Sequence, residues 1–177
     1  MKKYSKKSQI WIETVIYTLI ALIMIGAVLT FARPKIQEIQ DKIIIDQSFE
    51  SLEEIDSQMT AVINGGIGNK RIINVKIKKG ELKIDQGTED IIFTLKDSKS
   101  IYSEPTTNAD KFIKIGKIDV QTQKTGKTSI IILKLDYTDI NIDYSSTYGT
   151  VLGKSPSPYK FTITNQGGNN IKIEVGS

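Results

Sequence analysis

Carboxylates, amines and hydroxyls must carry any chemistry of this chain, because its 177 residues include no cysteine and no histidine. The lack of cysteine excludes thiol catalysis, disulfides and cysteine-based zinc sites. The lack of histidine removes the side chain that most often transfers protons near neutral pH and ligates metals. Asp136, Asp139 and Asp143 have the oxygen ligands that calcium prefers, but their spacing lacks the order of an EF-hand loop. The sequence therefore predicts no catalytic residue, no metal site and no cofactor.

One further motif has the ending of a phosphate-binding loop. Gly126-Lys127-Thr128 matches the last positions of that loop, but the residue where its first glycine would have to stand is Gln121. A strand-like pattern follows the motif, whereas a phosphate-binding loop is followed by a helix. We therefore predict no nucleotide site, no small-molecule substrate and no enzymatic activity.

A single acid stands inside the longest apolar stretch of the chain. Between Ile10 and Ala32 the only charged residue is Glu13. An apolar helix of about 20 residues spans the roughly 30 Å hydrocarbon core of a bilayer, so this stretch predicts a membrane-crossing helix. An acid within such a helix costs about 2.5–3.5 kcal/mol by insertion scales and is usually paired or functional. Alternatively, Glu13 lies at the membrane interface, where the positive end of the helix dipole tolerates it.

Basic residues flank this stretch unequally. Four of the first eight residues are lysines and none is acidic, whereas beyond the stretch Arg33 and Lys35 are soon followed by Glu38 and Asp41. The positive-inside tendency puts the N-terminus in the cytoplasm and the chain after Arg33 outside. The chain has 24 Lys and Arg, and the 20 that remain without those four lysines balance 20 Asp and Glu. No nucleic-acid-binding surface is predicted from this balance.

Three interpretations fit the apolar stretch. The first is a cleaved secretory signal, although the apolar region of such signals is usually about 7–15 residues long. The second is an uncleaved signal anchor, and the third is a leader that a peptidase removes on the cytoplasmic side, before the helix. The segment Lys7-Ser8-Gln9-Ile10-Trp11-Ile12-Glu13 favours the third, because it resembles the class III signal peptide of archaeal type IV pilins.

The resemblance implies that the chain is cut between Ser8 and Gln9, after the basic Lys7, so that Glu13 becomes the fifth residue. It implies that Glu13 meets the N-terminus of a neighbouring subunit and sets the register of a filament. We therefore expect a structural subunit of an archaeal type IV pilus-like surface filament, which is a single-pass, N-in/C-out membrane precursor before assembly. The implied partners are further copies of the chain, the membrane, a prepilin peptidase, an assembly ATPase and a membrane platform protein.

Two alternatives to this function stay open. One is a minor pilin-like component of a secretion or uptake machine. The other is a monomeric, membrane-anchored extracellular β-domain. Cleavage without abundant filaments would favour the first, and retention of the leader would favour the second.

The pattern becomes amphipathic after the apolar stretch. Apolar residues recur at spacings of three, four or their sums from Ile36 to Val62, and polar residues fill most of the opposite face. No Gly or Pro interrupts residues 35–64. One continuous helix from Gln9 to Ile63 is therefore predicted.

Proline and glycine divide the chain further. Pro34 cannot donate to the carbonyl of Thr30, so we predict a modest kink there. Gly65, Gly66 and Gly68 predict the end of the helix and a hinge between a stalk and a head. The predicted divisions are a leader at 1–8, a transmembrane or filament-core helix at 9–33, its amphipathic continuation at 34–64 and an extracellular head at 65–177.

The head is predicted to consist of β-strands, because short alternating runs rich in β-branched residues are separated by turn residues. Strands are predicted at Ile72–Lys78, Glu81–Asp85, Ile91–Leu95, Phe112–Gln121, Ser129–Asp136, Ile140–Tyr144, Tyr159–Thr164 and Ile171–Val175. Hairpin turns are predicted at Lys79-Gly80, Lys124-Thr125-Gly126 and Gln166-Gly167-Gly168. The expected fold class is α+β, with a long N-terminal helix followed by an antiparallel, all-β head of the type IV pilin kind.

Overall fold

The computed structural model describes residues 6–106 and 111–176. They belong to two compact units, Met1–Ile39 and Gln40–Ser177. The first five residues of the predicted leader lie outside the described residues. One helix, α1 (Lys6–Asn64), supplies residues 6–39 of the first unit and residues 40–64 of the second.

Strands occupy most of the second unit beyond α1. In the part of the chain that the structure describes, they are β1 (Lys70–Val75), β2 (Glu81–Asp85), β3 (Asp90–Ser98), β4 (Pro105–Thr106), β5 (Ile113–Ile115), β6 (Ile118–Thr125), β7 (Thr128–Asp136), β8 (Asn141–Ser146), β9 (Val151–Leu152), β10 (Tyr159–Gly167) and β11 (Asn170–Gly176).

The strands form two sheets. The smaller has the order β1-β10-β11-β8, and the larger has the order β4-β6-β7-β3-β2-β9, with β5 also paired to β6. Most neighbours are antiparallel, but β8 pairs with β11 in parallel and β4 pairs with β6 in parallel. The predicted α+β layout, a long N-terminal helix followed by a head of mainly antiparallel strands, is confirmed.

Both sheets and the second part of α1 share one hydrophobic core. The helix contributes five residues at spacings of seven, three and four, none of them more than 1% exposed: Ile45, Leu52, Ile55, Met59 and Val62. The spacing pattern from Ile36 to Val62 also includes Ile43 in the apolar stripe, but Ile43 is 49% exposed and lies outside the core-facing stripe. Nine residues separate Ile43 from Leu52, about two and a half turns at 3.6 residues per turn, so Ile43 lies on the other side of the helix.

Two of the three predicted hairpin turns are confirmed. Gly126 and Lys127 form the two-residue loop between β6 and β7, and Gly126 takes a positive φ of 62°. Gly168 and Asn169 form the loop between β10 and β11, both with positive φ, as a type I′ turn requires.

The predicted turn at Lys79-Gly80 is wrong as a hairpin. β1 and β2 belong to different sheets, so this segment connects the sheets instead of pairing two neighbours. Gly80 is needed there for a close approach, because a Cβ at this position would lie 2.7 Å from the ring of Phe93. A local turn signal cannot distinguish these two roles, since both need a left-handed glycine.

The strand predicted at Phe112–Gln121 is also wrong as a single element. It is a hairpin of β5 and β6, with Ile115 paired to Ile118 and Gly116 at a φ of 62° between them. The two-residue strands β4 and β9 were not predicted, because so short a segment carries no periodic pattern.

One edge of the smaller sheet is covered by side chains from the β2–β3 loop. β8 is the strand at this edge, next to β11, and β1 lies at the other edge. Glu89 Oε2 accepts a hydrogen bond from the Ile142 N–H at 2.7 Å, and Gln86 Nε2 donates to the Tyr144 carbonyl at 3.2 Å. Glu89 has a φ of 58°, which non-glycine residues rarely adopt. Because open strand edges pair with other chains, these contacts protect the β8 edge against edge-to-edge association.

We expect Glu89→Ala to destabilise the head by about 1–3 kcal/mol, because the Ile142 N–H loses its acceptor. The open edge should also raise the aggregated fraction of detergent-solubilised protein, measured by size-exclusion chromatography and by the infrared band of intermolecular β-sheet. Glu89→Gln keeps an oxygen acceptor and is the matched control. Equal aggregation of the Ala and Gln variants would contradict this role of the carboxylate oxygen.

Candidate assembly interface

The candidate site is the apolar part of α1 in the first unit. It is long and apolar enough to cross a membrane by length and composition, and none of its most apolar portion is buried. Exposed apolar surface of this extent marks contact with protein or lipid. The exposed large side chains are Ile10, Trp11, Ile12, Val15, Ile16, Tyr17, Leu19, Ile20, Leu22, Ile23, Met24, Ile25, Val28, Leu29 and Phe31.

The threonine hydroxyl groups of this segment are satisfied within the helix. Thr14 Oγ1 donates to the Ile10 carbonyl and Thr30 Oγ1 to the Gly26 carbonyl, each at 2.9 Å. Thr18 donates in the same way to the carbonyl of Thr14. An unpaired polar group is costly in an apolar environment, so these bonds make the three threonines compatible with lipid or with tight helix packing.

Glu13 is different, because its charge has no such partner. The side chain is exposed, and it forms no salt bridge with any residue whose side chain the structure describes. A carboxylate in hydrocarbon needs a hydrogen-bonded or charged partner. None of the side chains that the structure describes supplies that partner to Glu13.

The predicted processing residues Lys7, Ser8 and Gln9 lie in the first turns of α1. Cleavage between Ser8 and Gln9 stays a prediction. Pro34 lies inside the helix and is exposed, and the predicted kink there also stays a prediction.

The three predicted hinge glycines lie inside the second unit, where they form the C-terminal cap of α1. The Gly68 N–H donates to the Asn165 carbonyl at 2.8 Å, and Asn165 Nδ2 donates to the Val62 carbonyl at 3.2 Å. Gly66 and Gly68 have φ values of 81° and 82°, and a Cβ on Gly65 would clash with Asn69 at 2.2 Å. These contacts tie the helix end to β10, and the predicted hinge stays a prediction.

Sequence reasoning missed a buried acid that fixes the helix to the head. Asp41 is 4% exposed; its Oδ1 accepts from Lys79 Nζ at 2.5 Å and its Oδ2 from the Lys99 N–H at 2.8 Å. The spacing of apolar residues could have predicted its burial, because Asp41 is four residues before Ile45 and eleven before Leu52. Those intervals place it on the core-facing side of the helix.

A second acid fixes the helix farther along. Asp56 Oδ1 accepts a hydrogen bond from the Tyr137 hydroxyl at 3.1 Å, and Asp56 Oδ2 lies 3.1 Å from Lys117 Nζ. The pKa of Tyr137 is raised above its usual range, mainly by burial and to a lesser extent by the Asp56 carboxylate. The Tyr137 hydroxyl therefore stays protonated and acts as the donor. The interaction joins α1 to the ends of β6 and β7.

The remaining motifs that the sequence singled out, the aspartates near Asp136 and Gly126-Lys127-Thr128, lie in or beside strands and turns of the head. Asp136 accepts from the N–H and the hydroxyl of Thr138, which hold the pKa of its carboxyl below the usual value. In the described portion of the chain, no group of three or more Asp and Glu lies close enough to hold a metal ion. Gly126-Lys127-Thr128 lies at the β6–β7 hairpin, with a strand after it.

Fold and site together define a class: an α+β protein whose exposed, apolar N-terminal helix is long enough to cross a membrane. No family model, no curated protein and no solved structure matches this chain.

Proposed function

We propose that this chain is a structural subunit of a surface filament of the archaeal type IV pilus kind. The observation that carries the proposal is the exposed apolar part of α1 with its single carboxylate, Glu13. The order of residues from Lys7 to Glu13 supports it, because that order resembles the processing signal of this family. The precursor spans the membrane with its N-terminus in the cytoplasm and its head outside, as the lysine-rich flank favours.

Assembly transfers the apolar helix from lipid into a bundle of identical helices. Hydrophobic burial changes little in this transfer, because lipid tails are as apolar as the side chains that replace them. Side-chain packing and polar pairing therefore decide which arrangement of subunits is stable.

Glu13 supplies the polar pairing. Cleavage before Gln9 creates an α-ammonium group four residues from Glu13. The charge of one subunit's N-terminus then pairs with Glu13 of its neighbour in a medium of low dielectric constant, where opposite charges attract strongly. Only one axial register brings the two groups together, so the pair sets the helical step of the filament.

The first experiment measures the intact mass and the N-terminal peptide of the protein in sheared cell-surface material. We expect a chain that begins at Gln9, in a fraction that sediments as filaments, and we expect Ser8→Leu to block this processing. An unprocessed chain confined to membranes would contradict the proposal in favour of a simple anchored domain. A chain that begins at Arg33 would mean an ordinary secreted protein.

A further inference from the structure

Four lysines form a basic patch at one end of the smaller sheet. Register brings them together, because Asn74 pairs with Lys160 across β1 and β10, and the Ser155 N–H donates to the Ile77 carbonyl at 3.2 Å. All four are exposed, and none forms a salt bridge with a described acid. The members of this basic patch are Lys76, Lys78, Lys154 and Lys160.

The solvent side of α1 in the second unit carries the opposite charge. Its acids follow one another at helical spacing, opposite the core-facing stripe. No basic residue lies between 43 and 69, and no described cation forms a salt bridge with these acids. The pKa of Tyr102 is raised first by its burial and then by the negative charges of Asp46 and Glu53. This acidic helix face consists of Asp46, Glu50, Glu53 and Glu54.

We propose that the basic patch binds the acidic helix face of a second copy of this chain. The two surfaces match in charge, four lysines against four acids, and each lacks a salt-bridge partner within its own described chain. Like charges at i,i+4 repel each other along a helix, so an approaching basic surface relieves a repulsion that the single molecule does not neutralise. The inference rests on the proposed filament, which brings many copies side by side.

The geometry of such a contact favours an open assembly. Because the two surfaces are different, the contact is heterologous, and each copy keeps one free basic patch and one free acidic face for the next copy. Complementary charge also rejects wrong orientations, since a basic patch against a basic patch is repulsive. The heads thereby add orientation to a filament that the apolar helices hold together.

Charge reversal of the full chain tests this contact. We expect Glu53→Lys with Glu54→Lys to lower filament yield at least about tenfold, because the acidic helix face then carries two acids and two lysines and no longer attracts the basic patch. Lys76→Glu with Lys78→Glu should do the same, and all four changes in one chain should restore assembly. An equal mixture of the two double variants should also assemble, since each supplies the complement of the other.

A control and a second readout make the outcome decisive. Lys124→Glu with Lys127→Glu makes the same change of charge at the exposed β6–β7 turn and should leave the yield unchanged. Normal filaments from either reversed pair, or no recovery in the fourfold variant, would overturn the contact. Processing at Gln9 and wild-type filaments report separately on the proposed function.

Discussion

Glu13→Ala is expected to lower filament yield by at least about tenfold, which corresponds to a loss of only about 1.4 kcal/mol of assembly free energy. The variant loses the one carboxylate of the apolar segment and therefore its pairing with a neighbour's N-terminus. Membrane insertion should be unimpaired, because removing an acid from an apolar helix lowers the cost of insertion. The processed protein should accumulate in the membrane fraction instead of the sheared fraction.

Two further variants serve as controls, one for the charge of Glu13 and one for its position. Glu13→Gln keeps the length of the side chain but not its charge, so it should fail to assemble as the alanine variant does. Thr14→Ala alters the next residue, whose hydroxyl bonds only within its own helix, and should assemble normally. Quantitative mass spectrometry of the two fractions measures the result. Wild-type yields from both Glu13 variants would refute the register role.

Ile45→Ala is expected to destabilise the head by about 2–5 kcal/mol, the usual cost of removing most of a buried isoleucine side chain. Ile45 is 0% exposed and belongs to the core that α1 shares with both sheets. The cavity left behind would loosen the contact between helix and strands. Thermal or urea unfolding of the detergent-solubilised protein, followed by circular dichroism, measures the effect.

Ile43→Ala is the matched control for this prediction. It removes the same atoms from the same helix, two residues away, but Ile43 is 49% exposed. We expect a change below about 1 kcal/mol, as is typical for surface positions. Equal destabilisation by the two substitutions would mean that the core-facing side of α1 has been assigned incorrectly.

Local sequence determined several features of this protein. The apolar stretch around Glu13 and the long helix followed from composition and from spacing along the chain. The hairpins at Gly126 and Gly168 followed from residues that tolerate positive φ. In each case the deciding interactions join residues close in sequence, so a local pattern is sufficient. The alternation of apolar residues likewise predicted that the head consists of strands.

Tertiary structure alone decided which distant segments meet. The Asp41 carboxylate accepts from the N–H of Lys99, 58 residues away, and Glu89 accepts from the N–H of Ile142, 53 residues away. Strand order, the parallel pairing of β8 with β11 and the division of the strands into two sheets are of the same kind. Such contacts depend on how the whole core packs, and many pairings satisfy the same local alternation. The sequence alone therefore determined most of the elements, and packing decided their neighbours and the partners of the buried Asp41.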